Sequence, residues 1–417
     1  MIPSSPTIAR IGASTSRAKL VSDMMQILDF DFRHRFARYD RQRDESPVRR
    51  TMSNSPKNGM WPSPYNQASG AAIASGRRIL FADCTLRDGE QQAGVVFDRA
   101  AKVAIARALD DLGIYEIEAG TVASSEEDRQ AMAEMCGLGL NAKISALCRG
   151  LNTDMDHAVD LGVWGARLSF PISQLERKYK LKGISDDEYL RRALELCEYG
   201  RSKGLNIIFS PYDTTRAEIP FLRRLVGELE RAGTVNRLRI VDTTGCALPV
   251  AITYIIEQIR EAAPTLPLEI HCHNDFGLAC ANTLAGIVAG ADYASTTING
   301  LGERSGNAAT EEVAMALEVL YSIPTGLDLT KLTAVSRFAH KLTKQWSATA
   351  RSVTNLAWLW PGYYRTPLPP RPISPNWSDS DGKFCSGKRA AWCRSPTRSK
   401  SWRCRCMSKA SRKYLIA

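Results

Sequence analysis

The sequence predicts an α/β protein with the fold of a (β/α)8 TIM barrel, flanked by N- and C-terminal extensions that are disordered or degenerate. Short β-branched runs alternate with longer amphipathic stretches from residue 79 to residue 298, and strand–helix alternation implies a parallel sheet. Eight such repeats over about 240 residues are typical of a closed barrel. A doubly wound open sheet is the alternative, although it does not ordinarily need eight evenly spaced units.

Each predicted strand is a short run of apolar and β-branched residues. The eight runs are Ile79–Cys84, Ile114–Ala119, Lys143–Leu147, Ala166–Phe170, Asn206–Ser210, Leu238–Val241, Leu268–His271 and Tyr293–Ile298. Apolar residues at helical spacing lie between them. The clearest of these helical stretches are Asp98–Leu112, Asp187–Lys203 and Ile219–Ala232.

The texture of the sequence predicts four segments. Residues 1–78 are a predicted disordered extension, 79–325 the catalytic barrel, 326–346 the helical start of a C-terminal region, and 347–417 a basic tail that is disordered or frame-shifted. The chain carries a net charge of +11, of which +7 lies in 1–78 and +12 in 347–417, which leaves −8 on 79–346. Because the basic charge is confined to the ends, we expect no nucleic-acid partner for the barrel.

Seven cysteines are scattered without paired spacing through the middle segment, which favours reduced thiols in an intracellular enzyme over a disulfide framework. No apolar run approaches the roughly 20 residues that a membrane span needs. We therefore expect no membrane partner and a cytoplasmic location. The Arg- and Ser-rich start of the chain leaves an organelle transit peptide as an alternative. Acidic residues such as Asp23, Asp29, Asp31, Asp44 and Glu45 argue against it.

The first motif that carries chemistry is Asp-Cys-Thr-Leu-Arg-Asp-Gly-Glu-Gln at 83–91, after the first predicted strand. In such barrels the C-terminal strand ends and the loops that follow them build the active site. The Asp88 carboxylate suits a hard divalent cation. The neighbouring Arg87 guanidinium suits a substrate carboxylate or a developing oxyanion. A loop salt bridge is the structural alternative.

The second motif is His-Cys-His-Asn-Asp at 271–275, after the seventh strand. Side chains alternate across a strand, so His271 and His273 point to one side while Cys272 points to the other. Two neutral imidazoles at this spacing make a good metal pair, and the chain has only 5 His. Two satisfied polar residues at a strand end are the alternative.

The third motif is Asn-Gly-Leu-Gly-Glu-Arg-Ser-Gly-Asn at 299–307, after the eighth strand. Its glycines permit positive φ angles and close backbone approach. The spacing of these glycines does not match the dinucleotide-binding fingerprint. Two interpretations stay open: a late barrel loop that binds an anion, and a tight structural turn. Two weaker clusters complete the predicted mouth: Arg167 and Ser169 alternate along the fourth strand, and Thr243 follows the sixth.

Together these motifs resemble the family of 2-isopropylmalate, homocitrate and citramalate synthases, over about residues 79–343. The resemblance implies Asp88, His271, His273 and Asn307 as ligands of a divalent metal (Mg²⁺, Mn²⁺ or Zn²⁺). It implies Arg87 as the catalytic arginine that also holds the 2-oxo acid. It implies substrate contacts for Gln91, Arg167, Ser169 and Thr243.

The activity implied is the condensation of acetyl-CoA with a 2-oxo acid, by a homodimer. Segments 94–97, 145–149 and 168–173 look nearer to homocitrate synthases of the nitrogen-fixation type, which favours 2-oxoglutarate. The alternatives are a 2-isopropylmalate or citramalate synthase, an enzyme of the hydroxymethylglutaryl-CoA lyase type, and a non-catalytic relic that binds metal or oxo acid.

Two departures from the family pattern bear on turnover. Tyr212 follows Ser210-Pro211 where members usually carry glutamate. Members also supply a histidine from a helical region after the barrel to the partner subunit's site, whereas no histidine follows His340 here. We therefore expect a changed reading frame near Trp346, or a degenerate product, in which binding survives better than turnover.

Overall fold

The predicted TIM barrel is confirmed by a computed structural model, which describes Ser63, residues 65–68 and residues 77–343. Eight parallel strands pair in chain order, and the last pairs with the first to close the barrel. The strands are β1 (Leu80–Asp83), β2 (Glu116–Thr121), β3 (Lys143–Arg149), β4 (Gly165–Pro171), β5 (Asn206–Tyr212), β6 (Arg237–Asp242), β7 (Leu268–Cys272) and β8 (Tyr293–Thr296).

Helices follow the strands and cover the outside of the barrel. They are α1 (Arg99–Leu112), α2 (Glu126–Cys136), α3 (Asn152–Asp160), α4 (Gln174–Lys180), α5 (Asp186–Ser202), α6 (Ile219–Ala232), α7 (Pro249–Ala262), α8 (Ala279–Ala289), α9 (Thr310–Met315) and α10 (Leu332–Thr343). A single helical turn, Tyr65–Ala68, precedes the barrel. None of the described helices is long and apolar enough to span a bilayer.

The ends of α1 show how local sequence sets element bounds. The Asp98 side chain accepts a hydrogen bond from the Ala101 amide and so caps the N-terminus. Gly113 ends the helix in the left-handed region, with φ of 95°. After this turn, β2 begins at Glu116, two residues later than predicted. Strands β3, β4 and β5 instead run one or two residues beyond their predicted ends.

The apolar core lies between the outer face of the barrel and the helices. The inside of the barrel is ionic instead. Its lower part is filled by three arginines and three glutamates, all at most 3% exposed: Arg167, Arg237, Arg239, Glu116, Glu118 and Glu269. Barrel interiors are usually packed with branched apolar side chains. Here each buried charge has opposite charges beside it, which buried ions require.

The segments outside the barrel are only partly described. Helix α10 lies in the predicted helical region 326–346, whereas nearly all of 1–78 and all of 347–417 lie outside the described residues. The seven cysteines of the barrel are all free thiols. Cys272 is buried in the apolar core, as its place between two inward-facing histidines predicts.

Candidate metal centre

Three chain segments far apart in sequence meet at one side of the barrel mouth. The motifs at 83–91, 271–275 and 299–307 follow β1, β7 and β8, and these strands are neighbours because the barrel closes between β8 and β1. Asp88 begins a short 3-10 turn, while His273 pairs with Asn307 in an isolated antiparallel bridge. Closure of the sheet therefore unites the predicted ligands.

Asp88, His271 and His273 point their polar atoms at one spot. The Oδ2 atom of Asp88 lies 3.2 Å from Nε2 of His271 and 3.6 Å from Nε2 of His273. The two Nε2 atoms are 3.2 Å apart. Two ligands each about 2.1 Å from one cation are separated by about 3.0–3.4 Å in tetrahedral or octahedral geometry. The three atoms are thus spaced as ligands of a single cation.

The charge states also suit a cation. Burial, and then the positive charge of Arg239, lower the pKa of His271 to about 3. Burial likewise lowers the pKa of His273. Burial alone would raise the pKa of Asp88, but the charge of Arg87 and the imidazoles outweigh it and hold that pKa well below its ordinary value. Near pH 7 the site therefore combines one carboxylate with two neutral imidazoles.

Two buried polar atoms at the site have no hydrogen-bond partner among the described residues, Nδ1 of His273 and Oδ1 of Asn307. The Asn307 amide nitrogen is already used, since it donates to the Leu301 carbonyl at 3.1 Å. A Cβ on Gly302 would lie 2.2 Å from that nitrogen, so only glycine leaves room for the amide. An unsatisfied buried amide oxygen beside the histidines fits a further ligand.

Cys84 forms a competing group with Asp88 and His271, since potential ligand atoms of the three lie within 4.8 Å of one another. The Cys84 sulfur is 3.9 Å from Nδ1 of His271, the nitrogen opposite to the one that faces Asp88. Burial also raises the pKa of the thiol to about 12. A cation on Nε2 is therefore better served by His273 than by Cys84.

Arg87 is held beside the three ligands by a buried glutamate. Its Nε and Nη2 donate to the two carboxylate oxygens of Glu118 at 2.6 and 3.2 Å. Its Nη1 donates to Asp88 at 2.9 Å and to the Gln91 amide oxygen at 3.2 Å. The bidentate pair fixes the plane of the guanidinium, so that one edge faces the ligand cluster.

His271 is held from behind. Nη2 of Arg239 lies 2.8 Å and Oγ of Ser295 lies 3.1 Å from its Nδ1 atom. A guanidinium only donates, whereas a hydroxyl also accepts. The Arg239 contact therefore has Nδ1 as its acceptor, whereas Ser295 is the one of these two partners that can accept when Nδ1 carries the proton and Nε2 presents its lone pair to a cation.

The remaining predicted substrate residues lie at different heights in the barrel. Arg167 is fully buried on the floor, where its nitrogens lie 2.7 Å from Glu116 and 2.6 Å from Glu269. Ser169, two residues further along β4, is half-buried nearer the mouth. The Thr243 hydroxyl accepts from the Asp213 amide at 2.7 Å. None of these contacts tests a substrate role, which stays a prediction for all three.

Two residues of the site escaped the sequence reasoning, Glu118 and Arg239. A signal for both was present, because charged residues stand at alternate positions in strands that are otherwise apolar: Glu116 and Glu118, then Arg237 and Arg239. Alternation places each pair on one face. In a buried strand of a closed barrel, that face points to the interior.

The chain belongs to the HMGL-like family, whose model matches residues 78–339. It is 43% identical over 263 residues to a homocitrate synthase of Methanocaldococcus jannaschii, covering 63% of this chain and 64% of that protein. It is 42% identical over 267 residues to a 2-isopropylmalate synthase of the same organism, covering 64% of this chain and 51% of that protein. The resemblance inferred from the motifs is thereby confirmed, while the chain spans between half and two thirds of these relatives.

Solved structures confirm the fold at lower similarity. A hydroxymethylglutaryl-CoA lyase from Pseudomonas aeruginosa has a TM-score of 0.59 and 20% identity, covering 67% of this chain and 98% of that one. An HMG-CoA lyase from Acinetobacter baumannii, solved with coenzyme A and 3-methylmalate, has a TM-score of 0.58 and 22% identity, covering 67% of this chain and 96% of that one.

Proposed function

We propose that this protein is a divalent-metal-dependent acyltransferase that joins acetyl-CoA to a 2-oxo acid. The observation that carries the proposal is the convergence of Asp88, His271 and His273, with ligand atoms 3.2–3.6 Å apart at the mouth of the barrel. The names of the synthase relatives support the reaction class.

Asp88, His271 and His273 would hold Mg²⁺, Mn²⁺ or Zn²⁺, with Asn307 as a further ligand. A bound divalent cation would supply Lewis acidity toward a ketone oxygen. The carboxylate and imidazole donors do not select among the three metals, because each accepts oxygen and nitrogen ligands.

Arg87 is the residue that we propose to act on the reacting atoms. Glu118 holds the guanidinium rigidly, so little reorganisation is needed when negative charge develops on the substrate oxygen. The contact of Arg87 with Gln91 is on the exposed side and at 3.2 Å is the loosest that Nη1 makes. A substrate carboxylate would compete with Gln91 for Nη1 of Arg87. We therefore propose that Arg87 and Gln91 both contact the oxo acid.

Arg167 takes a supporting part in this proposal. Direct contact with substrate would require it to leave carboxylates at 2.6 and 2.7 Å inside a fully buried network. Ser169 and Thr243 lie nearer the mouth and are better placed to meet the far end of an oxo acid. We propose Arg167 as a positioning residue and the two hydroxyl residues as substrate contacts.

Homocitrate formation from 2-oxoglutarate is the activity we favour within this class. Three archaeal homocitrate synthases, 39–43% identical to this chain, support it. A 2-isopropylmalate synthase at 42% and an (R)-citramalate synthase at 40% identity keep the second candidate open. The homodimer and the cytoplasmic location stay predictions, and light scattering on the purified chain tests the first.

A thiol-release assay on the purified full chain tests the proposal. Acetyl-CoA is supplied with 2-oxoglutarate, 3-methyl-2-oxobutanoate or pyruvate, each with Mg²⁺, Mn²⁺ or Zn²⁺. We expect metal-dependent release of CoA that is highest with 2-oxoglutarate and lost in Asp88→Asn. The exposed Glu126→Gln variant is the matched control, since the partners of Glu126 among the described residues, Arg129 and Gln130, lie on its own helix.

Two further measurements on the same protein, cleavage of hydroxymethylglutaryl-CoA and thermal unfolding with oxo acid and metal, separate the alternatives. A lyase would cleave hydroxymethylglutaryl-CoA and release no thiol from acetyl-CoA. A binding relic would be stabilised thermally by an oxo acid plus metal without releasing CoA. If neither turnover nor stabilisation responds to metal, the proposed centre is refuted.

A further inference from the structure

The Arg304 guanidinium ties together the loops that follow β6, β7 and β8. Its Nε and Nη2 donate to the two oxygens of Asp275 at 2.8 and 3.0 Å, in the loop after β7. Its Nη2 also donates to the Thr243 carbonyl at 2.5 Å, in the loop after β6. Arg304 itself belongs to the loop after β8. We call this three-loop contact the clasp.

The backbone around the clasp is specialised for close approach. Arg304 has a φ of 59°, a left-handed conformation that is uncommon outside glycine and asparagine. Gly245 has a φ of 58°, and a Cβ there would lie 2.8 Å from the Asp275 amide and from the His273 carbonyl. The left-handed backbone at Arg304 and at Gly245 therefore allows the loops after β6, β7 and β8 to approach one another closely at the clasp.

The clasp adjoins a contact that reaches the proposed ligands. The backbone amide of Glu303, the residue before Arg304, donates to Oδ1 of Asp88 at 3.0 Å. The other oxygen, Oδ2, faces the two imidazoles. The two oxygens of one carboxylate thus have separate partners: the Glu303 amide donates to Oδ1, while Oδ2 faces the imidazoles and accepts from Nη1 of Arg87 at 2.9 Å.

We propose that Arg304 is a positioning residue of the metal centre. By anchoring the loop after β8 to Asp275, it keeps the Glu303 amide on Oδ1 of Asp88 and leaves Oδ2 as the single ligating oxygen. This inference rests on the metal centre proposed above. It adds a residue, Arg304, that contacts none of the proposed metal ligands but fixes the orientation of the Asp88 carboxylate.

Stability alone cannot reveal this role. Arg304 is about a third exposed, and ion pairs at such positions contribute little to unfolding free energy. Loss of a residue that orients a metal ligand, by contrast, typically weakens metal binding about 10-fold or more. Metal affinity and ligand geometry are therefore the quantities to measure.

The test is a titration of the metal-free full chain with Co²⁺, read by calorimetry and by the visible absorption bands of bound Co²⁺. Arg304→Asn removes the cation but tolerates the left-handed backbone. Asp275→Asn removes its partner, and Arg304→Lys keeps the charge without the bidentate contact. The matched control is Arg191→Asn, on the outer helix α5, where Arg191 pairs with neighbouring glutamates.

We expect Arg304→Asn and Asp275→Asn each to weaken Co²⁺ binding about 10-fold and to alter the absorption bands. The double variant should bind Co²⁺ no more weakly than Arg304→Asn alone, because Arg304→Asn already removes the contact with Asp275. Arg304→Lys should fall between wild type and Arg304→Asn, and Arg191→Asn should match wild type.

Failure of this inference and failure of the metal centre give different results. If the wild type binds no Co²⁺, the centre itself is refuted. If the wild type binds and Arg304→Asn stays within twofold with unchanged bands, only the positioning role is refuted. An equal loss in Arg191→Asn would assign the effect to net charge and would also overturn it.

Discussion

Replacement of Glu118 by glutamine should destabilise the barrel strongly and in a pH-dependent way. Glu118 is buried and accepts from Arg87 at 2.6 Å and from Arg239 at 3.1 Å, with Arg167 at 3.8 Å. Glutamine of the same shape removes the negative charge and turns one end of the side chain into a donor facing other donors. Breaking a buried ion pair in this way costs about 3–5 kcal/mol.

A second estimate comes from the ionisation of the same carboxyl group. Burial opposes ionisation, but the charges of Arg87, Arg239 and Arg167 outweigh it and lower the pKa of Glu118 from 4.5 to about 2. That difference corresponds to about 3 kcal/mol of folding free energy. Because the folded-state pKa is the lower one, the contribution is complete well above pH 4.5 and is lost as the pH falls toward 2.

Urea unfolding of metal-free wild type and Glu118→Gln, at pH 7 and pH 3, is the assay. The variant should be about 3 kcal/mol less stable at pH 7, and the difference should shrink to less than half at pH 3. Glu126→Gln, at an exposed helix position, should leave the midpoint unchanged. A loss under about 1 kcal/mol at pH 7, or an equal loss at both pH values, would refute the reasoning.

Three further outcomes are expected. Lys102→Met should lower the unfolding free energy by about 2 kcal/mol, measured in urea, because the buried ammonium is bonded to Glu90 at 2.6 Å and to Asp128. Gly306→Ala should speed proteolysis of the loop after β8 and weaken Co²⁺ binding, since φ is 96° and the new Cβ would lie 2.1 Å from the Gly300 carbonyl; unchanged cleavage and affinity would contradict the glycine requirement. Mn²⁺ at about 100 times its dissociation constant should stabilise the metal-free chain by about 2.7 kcal/mol in urea, and a midpoint indifferent to Mn²⁺ would count against the centre.

The sequence predicted the barrel because periodicity and strand count are local properties. It also predicted which motifs meet, since closure makes β7, β8 and β1 neighbours. The sequence did not predict how deep Arg167 lies in the barrel. Alternation along β4 indicates that Arg167 and Ser169 share a face, but which of them reaches the mouth depends on the tilt and stagger of the strands.

The partners of Arg87 and His271 escaped prediction for a related reason. Glu118 on β2 contacts Arg87 in the loop after β1, and Arg239 on β6 contacts His271 on β7. Residue spacing along one strand does not give such contacts. Charged residues at alternate positions of a buried strand mark an ionic interior. Pairing each charge with its partner requires three-dimensional coordinates.

The six charges packed along the barrel axis also constrain how this protein can change over generations. Replacing one of these residues alone leaves the oppositely charged side chain buried without its partner. Accepted changes therefore have to come as compensating pairs, often on different strands. Exposed side chains on the rim loops leave no buried charge without a partner when they are replaced. New substrate preferences can therefore arise at the rim while the axis stays locked, and a single-site library should tolerate far fewer replacements at Glu116 or Glu269 than at exposed rim positions.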